Sequence, residues 1–257
     1  QASDPSHGTH VAGIIGADAN NEVGTKGICP TSQLMIIRVV PGGDERDKDV
    51  AMGYRYASKM GAKVVNCSFG KLYSPYKEMV DDAVRFADQN GVLIIHAAGN
   101  DAANNDKIVH YPDKTYANAQ GQANNWITVG SSTKYNTKYL LSSFSNYGEV
   151  EVDLFAPGSD ILSTYPTSEL EENSGTSMAA PVVSGVAALV WSYYPELSAE
   201  QLKEILLLSV IDYSNTKVIR PNEEGKKRKK KMKDLCATGG VINALTAMKL
   251  AEEYVNR

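Results

Sequence analysis

Apolar runs of strand length alternate with helix-period segments through the first 155 residues, and this alternation constrains the fold more than any other feature of the chain. The runs are residues 33–40, 62–67, 92–97, 126–131 and 151–155, most of them ending in Gly, Pro or Asn. Between the first three lie residues 47–60 and 75–90. Their apolar positions (Val50, Met52, Tyr54, Ala57; Met79, Val80, Ala83, Val84, Ala87) recur at helical spacing. Repeated units of this kind predict an α/β fold, with a mostly parallel sheet and helices on both faces. Ligands of such sheets bind beyond the carboxyl ends of the strands, which directs attention to residues 68–70 and 98–101.

The C-terminal part reads as helical. Residues 177–194 form an apolar helix stopped by Pro195, Ser198 with Gln201 makes a capping box for a helix to about 209, and residues 241–254 form a third. Residues 212–238 are polar and irregular. They include 226–233, seven basic residues of eight, read as a mobile surface insertion open to proteolytic cutting. No aromatics interleave that run, and Glu223 and Glu224 adjoin it, so a nucleic-acid partner is not expected. A net charge of -4 agrees, as does a pI near 5.6. The longest apolar stretch, 178–194, is broken by Pro181 and Ser184 and falls short of the roughly 20 residues of a membrane span. It is read as a buried helix. Residues 1–10 are polar and do not resemble a signal peptide. Cys29, Cys67 and Cys236 are too few and too odd in number for a disulfide framework, and are read as small buried hydrophobes. The length and the 42% apolar content suit a single domain over 1–257.

Three segments could carry chemistry. His7 and His10 stand three apart at the start of a small-residue helix; without HExxH or a third ligand, a pair bonded to backbone carbonyls competes with a metal pair. Ser177 opens the long apolar helix, where its N–H is free to meet an anion, and Gly175, Ala179 and Ala180 leave room for a bulky group to approach its hydroxyl. Capping by Ser174 or Thr176 is the plain alternative. Asn100, after a buried strand, is either an amide donor for a developing oxyanion or a turn residue.

Together, HGTHVAGIIGA from His7, AAGN ending at Asn100 and GTSMAAP from Gly175 resemble the subtilisin family of serine endopeptidases. Val65-Asn-Cys-Ser-Phe-Gly, Ser143-Phe-Ser-Asn-Tyr-Gly, Asp153-Leu-Phe-Ala-Pro-Gly and Gly240-Val-Ile-Asn-Ala extend the resemblance over nearly the whole chain. It implies a three-layer subtilisin-like fold and a Ser/His acyl-enzyme mechanism. His7 would be the general base, Ser177 the nucleophile, and Asn100 with the Ser177 N–H the oxyanion hole. Ser68, Phe69 and Gly70 would bind an extended polypeptide substrate as an added strand, Ala98 and Gly99 would wall the P1 pocket, and Asp101 would stand at its rim. No cofactor is required, although Asn20, Asn21 and Val23 resemble a structural calcium loop. Family habit implies export, and a propeptide or separate N-terminal segment as a partner.

One family element is missing. The triad acid belongs to an Asp-Ser-Gly or Asp-Thr-Gly turn on the first core strand, upstream of the histidine, yet only six residues precede His7. Three explanations compete: the chain is a piece of a longer protease, Asp4 is a makeshift partner of His7, or the protein is a catalytically silent peptide-binding module. Residues 41–49 also depart from the family by carrying Asp44, Glu45, Asp47 and Asp49. With Asp101 they suggest a preference for basic residues at P2 or P4, against the alternative of a solvated acidic loop.

Overall fold

A six-stranded sheet runs in the order β1 (Val64–Cys67), β2 (Leu93–Ala97), β3 (Trp126–Ser132), β4 (Leu154–Pro157), β10 (Gly240–Val241) and β7 (Ile211–Asp212). All neighbours are parallel except β10 and β7. The computed structural model describes residues 4–40, 42–221 and 228–256. β2 and β3 are buried along their whole length, as expected for strands covered on both faces.

Helices α4 (Thr176–Tyr193), α5 (Ala199–Leu208) and α6 (Ala244–Val255) cover one face, around Leu93, Ile95, Ile127, Leu154, Val183 and Leu202. Ala179, Ala180 and Ala187 of α4 are fully buried, so the small residues at its start let the helix nest on the sheet. On the other face α2 (Asp47–Lys59) and α3 (Lys77–Gln89) pack over Val65, Ile94 and Trp126. The expected capping box of α5 is present: Ser198 Oγ accepts from Gln201 N at 3.1 Å, and Gln201 Oε1 accepts from Ser198 N at 2.8 Å. All three cysteines are buried thiols. Burial pushes Cys67 up to about 12 and Cys236 up to about 11.

Three segments differ from expectation. Residues 33–40 form no strand, and Ile36 is 73% exposed. β1 ends the sheet and has no pair on its outer side among the described residues, so 33–40 has no ladder to join. It rests instead on α2, where a Cβ at Gly53 would lie 2.5 Å from Val39 Cγ1. Second, 212–238 is not irregular throughout. β8 (Lys217–Ile219) pairs antiparallel with β9 (Lys229–Lys231), and Met232 is fully buried with Val218, Leu235 and Cys236. The described part of the basic run is therefore anchored through Met232, while positions 226 and 227 lie outside the described residues, as does position 41 of the acidic segment. Third, β5 (Ile161–Tyr165) and β6 (Glu169–Asn173) form an unanticipated hairpin, because the exposed Glu-Leu-Glu-Glu-Asn sequence carries no apolar alternation.

Candidate active site

His7 lies in the first turn of α1 (Ser6–Gly16), which is held by the β5–β6 hairpin. Ser163 Oγ donates to the His10 carbonyl at 2.7 Å and Thr164 Oγ1 to the Thr9 carbonyl at 2.9 Å. Gly13 permits this approach, since a Cβ there would overlap both hydroxyls. His10 is fully buried, and its Nε2 donates to the Glu171 carbonyl at 2.9 Å. That is the backbone-satisfied geometry and not a metal pair. Asp4 accepts from Ser6 N at 2.9 Å and from Ser6 Oγ at 2.8 Å, so its carboxylate is tied to the helix start and not to His7. No carboxylate bonds His7 among the described residues. Desolvation, and then the neighbouring His10, hold the His7 pKa below the ordinary 6.5. Its imidazole is therefore neutral at pH 7 and able to accept a proton.

Ser177 sits at the second position of α4, behind the extended Gly175. Its N–H has no acceptor among the described residues, as the first helical turn dictates. Pro181 has no N–H to give the Ser177 carbonyl four residues earlier. Ser68 Oγ supplies the missing donor at 2.8 Å, and is itself held by Asn66 Nδ2 at 2.9 Å. Ser177 Oγ donates to the Ser68 carbonyl at 3.1 Å. The end of β1 and the start of α4 are thus locked together, with the hydroxyl resting against β1.

Asn100 follows β2. Its Oδ1 accepts from Thr176 N at 2.9 Å and Thr176 Oγ1 at 3.1 Å, which fixes the amide plane and leaves Nδ2 a donor without an acceptor among the described residues. Thr176 Oγ1 in turn accepts from Gly99 N at 3.1 Å. Asn146 secures the same loop: its Oδ1 accepts from Asp101 N and Ala103 N, and its Nδ2 donates to the Ala98 carbonyl.

His7, Asn100 and Ser177, from three distant segments, line one cavity of ≈ 250 Å³ together with Tyr165, Asn173, Gly175 and Met178. A neutral base, a hydroxyl and two aimed N–H donors facing one space can move a proton and hold a developing negative oxygen. The roles of Thr176 and Asn146 were not read from the sequence. Thr176 lies in a motif that was read, but nothing in the primary order connects Asn146 to Asn100.

Of the other expected residues, Asp101 follows Asn100 in the same loop and is exposed. Asn20, Asn21 and Val23 lie on an exposed loop outside the cavity; Asn21 Oδ1 accepts from Val23 N at 3.1 Å and Asp18 Oδ1 from Asn20 N at 2.8 Å. These oxygens serve the loop's own backbone, and the described residues hold no group of three or more His, Cys, Asp or Glu side chains suited to a metal ion. Asp47 is no subsite residue. It is buried, paired with Lys71 at 2.6 Å, and accepts from Ser74 Oγ and Tyr76 N.

Residues 1–236 match the Subtilase family. Subtilisin BL of Lederbergia lenta is 39% identical over 202 residues, which cover 78% of this chain and 68% of that protein. M-protease of Shouchella clausii is 37% identical over 211 residues, 82% of this chain, so the chain spans about half (51%) of that relative. Among solved structures, the prenylagaramide maturation protease PagA superposes with a TM-score of 0.75 at 27% identity, covering 97% of this chain and 84% of that one.

Proposed function

This chain belongs to the subtilase family, and we propose that it is the catalytic domain of a serine endopeptidase in which Ser177 attacks the scissile carbonyl. His7 takes the Ser177 proton and returns it to the leaving amine. Asn100 Nδ2 and the Ser177 N–H hold the oxyanion. The observation that carries this reading is the convergence of His7, Asn100 and Ser177 on one cavity. An extended polypeptide would pair with residues 68–70, and no cofactor takes part in these steps. We place its action outside the cytoplasm, as the family resemblance implies, which cell fractionation checks.

In this reading the acid that orients His7 arrives on a strand seated between β1 and residues 33–40. Two features support that slot: β1 has no outer partner among the described residues, and the apolar Leu34, Met35 and Ile36 beside it are exposed. In subtilisin itself, loss of the acid alone lowers kcat by about 3 × 10⁴. Peptide hydrolysis by the chain alone should therefore be slow, and a form extended upstream through an Asp-bearing strand should gain about 10⁴-fold. Equal and robust turnover by both forms would refute the slot. Labelling by a fluorophosphonate, lost in Ser177→Ala, separates an activated serine from a silent peptide-binding scaffold.

A further inference from the structure

His110 stands where the two walls of the P1 pocket meet. An antiparallel bridge pairs Lys71 with Tyr111, with N to O distances of 2.9 and 2.8 Å, and ties the segment that carries His110 to the residues after β1. A Cβ on Gly70 would overlap His110 Cε1 and lie 2.5 Å from Nδ1, while a Cβ on Gly99 would lie 3.0 Å from Nε2. The imidazole edge therefore reaches from one wall to the other. Gly99 holds a positive φ of 107°, so both positions need glycine for conformation or room.

A second ring backs the first. His96 is buried, its ring centroid is 6.1 Å from that of His110, and it is hydrogen-bonded to the Phe69 backbone. Trp126 packs behind it at 5.3 Å. Neither His110 Nδ1 nor His96 Nε2 has a partner among the described residues, so the pair fills the space between the walls without being called there by a hydrogen bond of those atoms. The cavity at Ser177 includes neither Gly70 nor Gly99 in its lining.

We propose that His110 closes the P1 pocket and limits it to small side chains such as Ala, Ser or Gly. An aromatic P1 residue would have to bury its ring where the imidazole already lies. This inference rests on the proposed function only for the location of P1. It is a steric claim, and it predicts that volume at position 110 matters more than the imidazole's chemistry.

The test uses Ser177→Ala chain, so that nothing is cleaved, and fluorescence anisotropy with labelled peptides identical except for Ala or Phe at P1. The Ala peptide should bind at least about tenfold more tightly than the Phe peptide, the scale of discrimination that pocket size provides. Adding His110→Ala should abolish or reverse that ratio. Adding His110→Leu, which keeps the space filled, should preserve it and also guards against a fold lost with the ring. Equal binding of both peptides, a ratio unmoved by His110→Ala, a ratio lost in His110→Leu, or no binding at all would overturn the proposal. Fluorophosphonate labelling of the Ser177 chain reports on the catalytic reading separately: an unlabelled serine with P1 discrimination intact would sink that reading alone.

Discussion

The proposed function gives Asn100 two jobs through two different atoms, and substitutions can part them. Its Oδ1 accepts two hydrogen bonds from Thr176, at 2.9 and 3.1 Å, while Nδ2 is left to meet the oxyanion. Asn100→Ala removes both functions. The lost acceptor contributes about 1 kcal/mol per neutral bond at most, and less where water can replace it beside an exposed residue. A melting temperature lower by a few degrees is expected for a chain of this size. The lost donor costs more in rate, about 2.7 to 4 kcal/mol of barrier, or 10² to 10³-fold. Asn100→Asp keeps an oxygen facing Thr176 but removes the donor and adds a negative charge facing the oxyanion. It should leave the melting temperature near that of the parent while losing at least as much rate. The assay is the second-order rate of Ser177 phosphonylation by a fluorophosphonate, which also builds negative charge on an oxygen and requires no completed triad. Labelling within threefold of the parent by both folded variants would refute the assignment of Asn100 Nδ2 to the oxyanion.

Asp47→Ala leaves Lys71 without its buried partner, and calorimetry should show a loss of about 3 kcal/mol, the low end for breaking a buried pair. The Asp47 pKa is lowered: desolvation raises it, but Lys71 and the donors from Tyr76 and Ser74 outweigh that. Its contribution is therefore full above the ordinary 3.8 and disappears as pH falls through the lowered value, so the variant should lose that part of the acid limb of stability. Gly13→Ala forces a methyl against Ser163 and Thr164; overpacking of this kind costs about 1 to 3 kcal/mol and should slow Ser177 labelling by shifting α1. The labelling rate should already be on its upper plateau at pH 7 and fall only below the ordinary histidine range, because the His7 pKa is lowered. A pH profile with its midpoint above 6.5 in the chain alone would contradict this.

What could be read from the sequence was whatever its own neighbours in the chain enforce. The α5 capping box is written in Ser198 and Gln201, and the buried β2 in a run whose residues, His96 apart, are apolar or small and need no partner to be recognised. Residues 33–40 look as strand-like as β2, yet strand character is completed by an adjacent strand, and here the neighbouring slot is empty of any described residue. The β5–β6 hairpin was invisible because both its strands lie largely at the surface, where burial imposes no period. Its contribution to the site comes through two hydroxyls, Ser163 and Thr164, that only the tertiary arrangement aims at α1. His110 carried no local signal at all; its position follows from the pairing of Tyr111 with Lys71, forty residues away in the chain.

The hydrogen bonds around the cavity fall into two sets that do not share a member. One set joins Ser177, Ser68, Thr176 and Asn100, fixing nucleophile and oxyanion donors on the start of α4 and the ends of β1 and β2. The other joins α1 to β5 and β6 through His10, Thr9, Ser163 and Thr164, and fixes the base. Among the described residues no hydrogen bond links His7 to the first set, and Ser177 Oγ points its proton at Ser68 instead. A carboxylate arriving beside β1 would bridge the sets, since its strand would extend the sheet that carries Ser68 while its side chain held the imidazole. Without it the donors proposed for the oxyanion stay assembled, and in subtilisin binding and the oxyanion hole alone retain about 10³ to 10⁴ over the uncatalysed rate. Residual turnover by this chain should accordingly fall about 10² to 10³-fold in Asn100→Ala, while His7→Ala costs far less than in an enzyme with its acid in place. Measured on the chain and on its extended form, the ratio of the two alanine penalties would show the His7 penalty growing when the acid is present and the Asn100 penalty staying constant.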